Sequence, residues 1–208
     1  MGVGLALALE KDMADIAQAI LDLSKNLGAL TLGDFTLSSG ERSSYYFDGR
    51  LVTLNPEGAF LVAKALLPIV NASGAELLAG PAVAAVPIVS AVGVTSYADG
   101  SPVPGLIVRG AAKKHGTGRV IEGPVRPGAK VAVVDDACST GGSLLHAIEA
   151  VEAAGCRVVK VMCLLDRRMG GSDEIRRRGY DFVALLEADD KGSITPALGV
   201  LDTAGDGT

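Results

Sequence analysis

The sequence is poor in aromatic residues and in cysteine. Of its 208 residues none is tryptophan, and only 4% are aromatic. The three cysteines, Cys138, Cys156 and Cys163, are an odd and scattered set, which argues against the disulfide framework of a secreted protein. We therefore expect a cytoplasmic protein that folds without covalent cross-links.

A basic tract is also missing. The chain has 19 Lys and Arg residues and 24 Asp and Glu residues. The resulting net charge of −5 argues against sequence-independent binding of nucleic acid. Gly, Pro and charged residues interrupt each apolar stretch before it reaches the roughly 20 residues that a membrane-spanning helix needs. We expect neither a nucleic acid nor a membrane as a partner.

The composition that remains is that of one globular domain. Hydrophobic residues make up 49% of the chain and charged residues 21%, enough apolar side chains for a sizeable core. We expect a single domain over residues 1–208, with a loose leader over residues 1–10 and a frayed tail over residues 201–208. Between them we place a small amino-terminal annex over about residues 11–50 and the core over about residues 51–200.

Helical and strand patterns alternate along the chain. Asp12 can cap a helix over residues 13–27, and proline at the first helical position opens a second helix from Pro56 to about Val70. Short annex strands are expected at residues 35–37 and 44–48, and core strands near residues 76–79, 105–109, 130–135, 157–166 and 182–186. This alternation predicts an α/β fold with an open, mostly parallel sheet flanked by helices.

The most informative stretch is residues 131–143, VAVVDDACSTGGS. A buried strand ends in Asp135 and Asp136, and a turn rich in glycine and hydroxyl groups then leads into a helix. One interpretation is a strand end followed by an ordinary helix cap. The other is a sugar-phosphate site, because a helix amino terminus attracts anions and the carboxylates suit sugar hydroxyls.

Residues 110–124 form a long connection with little apolar content. They include Lys113, Lys114, His115 and Arg119. By pattern alone this connection is equally well a disordered loop or a lid that an anion orders.

Four segments together resemble the type I phosphoribosyltransferases. Residues 131–143 look like the motif that binds phosphoribosyl diphosphate (PRPP) in that family. Residues 35–50 are similar to the amino-terminal signature of the orotate-specific members, residues 108–123 to their mobile catalytic loop, and residues 164–168 to their Asp-Arg pair near the base. Four segments in the family's order are far more specific than one motif alone.

The resemblance implies a fold and an activity. The fold would be Rossmann-like, with a twisted sheet and an amino-terminal helix and strand annex that forms a hood. The activity would be that of an orotate phosphoribosyltransferase, which transfers 5-phosphoribosyl from PRPP to orotate in pyrimidine biosynthesis and releases diphosphate. A transferase for another base and a PRPP-binding regulator without turnover remain alternatives.

The resemblance also implies the residues of the site. Lys113, His115 and Asp136 would be catalytic. PRPP would contact a set of cationic, acidic, hydroxyl and glycine positions: Gly80, Arg109, Lys113, Lys114, His115, Asp135, Asp136, Ala137, Cys138, Ser139, Thr140, Gly141, Gly142 and Ser143. Orotate would contact Ser38, Tyr46, Phe47, Ser139 and Arg167.

The implied partners are a metal ion and a second copy of the chain. Mg²⁺ would be held mainly by substrate oxygens and water, so we expect no protein metal cage. In many family members the loop reaches into the neighbouring subunit, which implies a homodimer. Three positions depart from the family pattern, because Ser38, the pair Val83 and Ala84, and Gly110 stand where many members carry cations.

Overall fold

The annex packs one long helix beside a small antiparallel sheet. The computed structural model describes residues 2–36, 42–110, 120–189 and 192–197. Its first elements are α1 (Gly2–Asn26), β1 (Leu30–Thr36), β2 (Arg42–Phe47) and α2 (Gly49–Thr53), and β1 pairs with β2. Met13, Ala17, Ile20 and Leu21 recur at helical spacing on α1 and are buried against the core.

Helix α1 begins earlier than the sequence pattern predicts. Asp12 lies inside the helix rather than at its start, and the expected loose leader over residues 1–10 is wrong, since the helix already includes Gly2. The physical reason lies in residues 5–9, which are alternating Leu and Ala, two of the strongest helix formers.

The core is a seven-stranded sheet that carries the site at one edge. Its strands are β3 (Leu77–Pro81), β4 (Gly105–Val108), β5 (Ile121–Glu122), β6 (Lys130–Cys138), β7 (Arg157–Asp166), β8 (Phe182–Ala188) and β9 (Ile194–Pro196). The order is β5-β4-β3-β6-β7-β8-β9. The five inner strands are parallel and the two edge strands antiparallel, so the predicted open, mostly parallel sheet is confirmed.

Helices cover both faces of this sheet. They are α3 (Pro56–Ala72), α4 (Ala85–Ala98), α5 (Gly142–Ala153) and α6 (Gly171–Arg177). One buried cluster includes Leu66 and Ile88 with the annex residues, and a second lies under Leu144 and Ile148. Each face of the sheet therefore has its own core, as parallel strands require.

The sequence patterns located the long elements and missed the short ones. The second helix begins at Pro56 as expected, and the strand over residues 157–166 is confirmed. Strands β5 and β9 and helix α2 were not predicted, because two, three and five residues are too few to show a period. Residues 201–208 lie outside the described part of the chain. No helix within the described ranges is both long and apolar enough to cross a membrane.

Candidate functional site

Several of the predicted site residues lie at the carboxyl edge of the parallel strands. Strand β3 ends at Gly80 and Pro81, β4 ends just before Arg109, and β6 carries Asp135 and Asp136 near its end. Strand β6 runs on to Cys138, so the acid pair lies within the strand rather than after it. Ligands of open α/β sheets bind at this edge.

Asp135 is a buried carboxyl held by two hydrogen bonds. Only 4% of the residue is exposed. The Ser143 hydroxyl donates to Oδ2 at 2.6 Å, and the backbone N–H of Asp136 donates to Oδ1 at 2.9 Å. Burial, followed by the charge of Asp136, raises the pKa of Asp135 to about 7. Burial likewise raises the pKa of Asp136.

The turn after β6 opens helix α5 without a side-chain cap. Gly141 occupies the N-cap position with φ +80°, in the left-handed region that glycine favours, and no side chain hydrogen-bonds to the first turn. The Ser143 hydroxyl instead donates its hydrogen bond to Asp135. No side chain of the N-cap residue therefore competes for the first N–H groups of α5, and such N–H groups suit an anion.

A second loop is packed directly on this turn. The N–H of Gly171 donates to the Ser139 carbonyl at 2.9 Å, and the N–H of Arg167 donates to the Cys138 carbonyl at 2.8 Å. A Cβ on Gly171 would lie 2.4 Å from the Gly141 nitrogen, so only glycine allows this approach. Gly171 is not among the predicted site residues, and its only signal in the sequence is the glycine pair at 170–171 after a predicted strand.

Arg167 is held in place on the same side of the site. Its Nη2 donates to the Phe47 carbonyl at 3.1 Å, and its guanidinium carbon lies 5.4 Å from the centre of the Tyr45 ring. Its Nε is buried without a hydrogen-bond partner. The guanidinium is thus fixed by the annex and retains a donor, as a site that receives a carboxylate requires.

The aromatic residues of β2 divide between core and surface. Tyr45 and Phe47 are buried in the core cluster, whereas Tyr46 is 42% exposed and its ring lies 5.7 Å from that of Phe35. This alternation follows from the two-residue period of a strand. Tyr46 therefore presents a ring toward solvent, while Phe47 contributes its carbonyl, through Arg167, rather than its ring.

Arg109 directly follows strand β4 at the same edge of the sheet. Its Nη1 lies 3.5 Å from Glu122, and its Nε is buried without a hydrogen-bond partner. The His146 ring places Nε2 at 3.0 Å from the Arg109 carbonyl, a contact that no sequence pattern predicts. Helix α5 therefore fixes the backbone at Arg109, the residue that precedes the basic connection.

Four of the predicted site residues lie outside the described part of the chain, and Gly80 has a packing role. Ser38, Lys113, Lys114 and His115 lie outside the described residues. Gly80 is buried, and a Cβ there would lie 2.5 Å from the Ala85 Cβ, so packing of α4 already requires glycine.

Val83 and Gly110, which stand where many family members carry cations, lie in the described part of the chain. Val83 is 75% exposed, and Gly110 faces open space, since a Cβ there would meet nothing within 4 Å. Within the described ranges, no three His, Cys, Asp or Glu side chains are grouped closely enough to hold a metal ion. The donors available to Mg²⁺ at this edge are therefore few, and the ion fits only if substrate and water supply most of its ligands.

Known proteins are similar to this chain in sequence and in fold. The phosphoribosyl transferase domain family matches residues 56–195. An orotate phosphoribosyltransferase of Nostoc sp. is 43% identical over 176 residues, covering 84% of this chain and 84% of the relative. A crystal structure of Mycobacterium tuberculosis orotate phosphoribosyltransferase in complex with Fe(III) dicitrate superimposes with a TM-score of 0.71 and 31% identity, covering 88% of this chain and 99% of that chain. A structure of the same protein in complex with PRPP gives a TM-score of 0.67 and 28% identity, covering 85% of this chain and 96% of that chain.

Proposed function

Because the chain belongs to the phosphoribosyl transferase domain family, and within it to the orotate phosphoribosyltransferases, we propose that it transfers 5-phosphoribosyl from PRPP to orotate. The products are orotidine 5′-phosphate and diphosphate, and the reaction serves pyrimidine biosynthesis. One observation carries the assignment: the strand that holds buried Asp135 and half-buried Asp136 leads through a short turn into the amino terminus of α5, and Arg167 is fixed at the end of the neighbouring strand.

The acid pair supports the ribose. As diphosphate leaves, the ribose ring takes on positive charge, and carboxylates held near the ring stabilise that charge without having to reorganise. Asp135 and Asp136 accept hydrogen bonds from ribose hydroxyls, and Asp136 supports the ring charge. The two hydrogen bonds to Asp135 fix its carboxyl before substrate arrives.

The turn from Ala137 to Ser143 binds the 5′-phosphate. Its backbone N–H groups and the dipole of α5 favour the anion. Ser139 and Thr140 contribute hydroxyl donors, whereas the Ser143 proton is engaged with Asp135. The glycines at 141 and 142 let the backbone close around the phosphate oxygens.

Arg167 binds the carboxylate of orotate. A planar guanidinium matches a carboxylate in two parallel hydrogen bonds, and the contacts with Phe47 and Tyr45 hold this guanidinium before the base arrives. The exposed ring of Tyr46, together with Ser38 and Ser139, completes the base pocket.

The basic connection supplies the leaving-group side. Lys113, Lys114 and Arg109 neutralise the growing charge of the diphosphate, and His115 hydrogen-bonds to or protonates the departing oxygen. Mg²⁺, held mainly by substrate oxygens and water, lowers the charge of the diphosphate when it is bound. His146 supports this side by holding the Arg109 carbonyl.

The assembly proposed is a cytoplasmic homodimer whose connections complete the partner's site. Val83, Val94 and Tyr97 lie just before or on α4 and are 75%, 73% and 78% exposed, an apolar surface suited to a second copy. The three cysteines are unpaired, which supports a reducing compartment.

One assay tests the proposed function against its alternatives. The protein is incubated with PRPP, Mg²⁺ and orotate while orotate absorbance is followed, and the assay is repeated with uracil, with purine bases and without a base. We expect consumption of orotate alone. Consumption of another base would assign a different transferase, and tight PRPP binding without diphosphate release would assign a regulator.

A further inference from the structure

The segment from Phe47 to Arg50 touches both halves of the proposed site. Its Phe47 carbonyl accepts the hydrogen bond from Arg167, the proposed ligand of the base. Two residues later, Gly49 is buried against the Asp136 carboxyl, the proposed ligand of the ribose. Asp136 lies in β6 and Arg167 directly follows β7, and this annex segment contacts both.

Gly49 leaves no room for a side chain. A Cβ built on it would lie 2.8 Å from the Asp136 Cβ and 2.8 Å from its Oδ2. Gly49 is not among the glycines with positive φ, so other residues can adopt its backbone conformation. Its need for glycine therefore comes from the contact with Asp136 and not from the turn itself.

A local network fixes the segment. The Asp48 carboxylate accepts hydrogen bonds from the Arg50 backbone N–H at 3.1 Å and from the Arg50 guanidinium at 2.8 and 2.9 Å. The Asp48 N–H donates to the Ala29 carbonyl at 2.9 Å. Asp48 thereby caps helix α2, and the backbone of Gly49 is held on both sides.

Charges around Asp136 fit the same role. Burial has the largest effect on the pKa of the Asp136 carboxyl and raises it, whereas the smaller effects of Asp48 and Arg50 raise and lower it, respectively. On the same strand, the backbone N–H of Asp136 donates to the carboxyl of the neighbouring Asp135. The opposing charges of Asp48 and Arg50 leave the position of the carboxyl, rather than a strong local field, as the main contribution of this segment.

We propose that Gly49 is a positioning residue for the transfer reaction. Its missing side chain lets the segment from Phe47 to Arg50 seat against Asp136, and the same segment holds Arg167. The ribose carboxylate and the base cation are thereby kept at a fixed separation. This inference rests on the proposed function, since it concerns the two ligands that the reaction joins.

The first test replaces Gly49 by alanine. Gly49→Ala forces the Asp136 carboxyl to move, and we expect kcat to fall about 10- to 100-fold. The KM for orotate should remain within about threefold of wild type, because Arg167 keeps its bond to the Phe47 carbonyl. A matched control is Gly93→Ala in helix α4, where the nearest atom to a new Cβ is the Val103 carbonyl oxygen at 3.7 Å. We expect this control to have wild-type kinetics.

A binding measurement separates positioning from loss of folded protein. Calorimetric titration with PRPP and Mg²⁺ should give Gly49→Ala the same number of sites per chain as wild type. A reduced number of sites with unchanged kcat per site would assign Gly49 a purely structural role and would overturn the inference.

A second pair of variants decides the question if Gly49→Ala does not fold. Asp48→Ala removes the cap that fixes Gly49, whereas Asp48→Asn keeps an acceptor at the same place. We expect kcat to fall in Asp48→Ala and to recover in Asp48→Asn. Equal kcat in both variants and wild type would overturn the inference.

The two proposals fail in different ways. If wild type does not consume orotate with PRPP, the proposed function fails. If wild type consumes orotate and both Gly49→Ala and Asp48→Ala keep its kcat, the function stands and the positioning role fails.

Discussion

The raised pKa of Asp135 has a consequence for stability. A carboxyl whose pKa rises on folding, here from 3.8 to about 7, holds its proton more tightly in the folded chain than in the unfolded chain. Between these values the folded state binds more protons, so its contribution to stability is present at low pH and is lost as pH rises toward and past 7.

Asp135→Asn should remove this pH dependence. We expect the free energy of unfolding of wild type, relative to the variant, to fall on the order of 2 kcal/mol between pH 5 and pH 8. Urea unfolding at both pH values measures it, with Asp99→Asn at an exposed carboxylate as the control. A constant difference between wild type and Asp135→Asn would contradict the prediction.

His146 should influence PRPP rather than orotate. His146→Ala removes the hydrogen bond to the Arg109 carbonyl, and the backbone is then less well fixed where the basic connection begins. We expect the KM for PRPP to rise about fivefold, since one hydrogen bond contributes roughly 1 kcal/mol, while the KM for orotate is unchanged. Steady-state kinetics with each substrate varied checks it. An equal rise in both KM values would show a general loss of structure instead.

Sequence reasoning identifies site residues that act through their own chemistry. Asp135, Asp136 and Arg167 carry charge at recognisable places in a motif, and the structure brings all three to one edge. His146, Gly49 and Gly171 act through contacts with other segments, for example over 37 positions between His146 and Arg109. One sequence contains no signal for such a contact, because it depends on how the strands are ordered in the sheet.

At the scale of elements, helix α3 offers a direct measure of a cap. The Asn55 side-chain oxygen accepts hydrogen bonds from the N–H groups of Glu57 and Gly58 at 3.0 and 3.1 Å. Asn55→Ala should lower the free energy of unfolding by about 1 kcal/mol.

The matched control lies in the same helix. Asn71 is exposed near the end of α3, and Asn71→Ala should leave stability unchanged or slightly higher, because alanine is the better helix former. Thermal or urea unfolding of both variants compares them. A loss of equal size in the two variants would assign the effect to the side-chain change rather than to the cap.

Element length decides what patterns can show. The ten-residue strand β7 and the 17-residue helix α3 have periods that a sequence displays. Strand β5 has two residues and exists because its backbone pairs with β4, which is information held by the partner strand. Helix α2 likewise depends on the Asp48 cap and on its seat against Asp136.

At the scale of the whole molecule, the proposed homodimer predicts complementation. If each connection completes the partner's site, mixing Lys113→Ala and Asp136→Asn subunits creates dimers in which one of the two sites carries neither substitution. We expect each variant alone to lose most activity and the mixture, after subunit exchange, to recover part of it. Orotate consumption measures the recovery, and light scattering checks the dimer. If mixtures remain as inactive as the separate variants, each connection serves its own subunit.

The N–H groups of Arg167 and Gly171 donate to the Cys138 and Ser139 carbonyls, so the loop that carries the proposed base ligand is hydrogen-bonded to the turn proposed for the 5′-phosphate. A ligand that orders either segment therefore reduces the entropic cost of ordering the other. By thermodynamic reciprocity, PRPP raises the affinity for orotate by the same factor by which orotate raises the affinity for PRPP. The two substrates then bind cooperatively rather than independently.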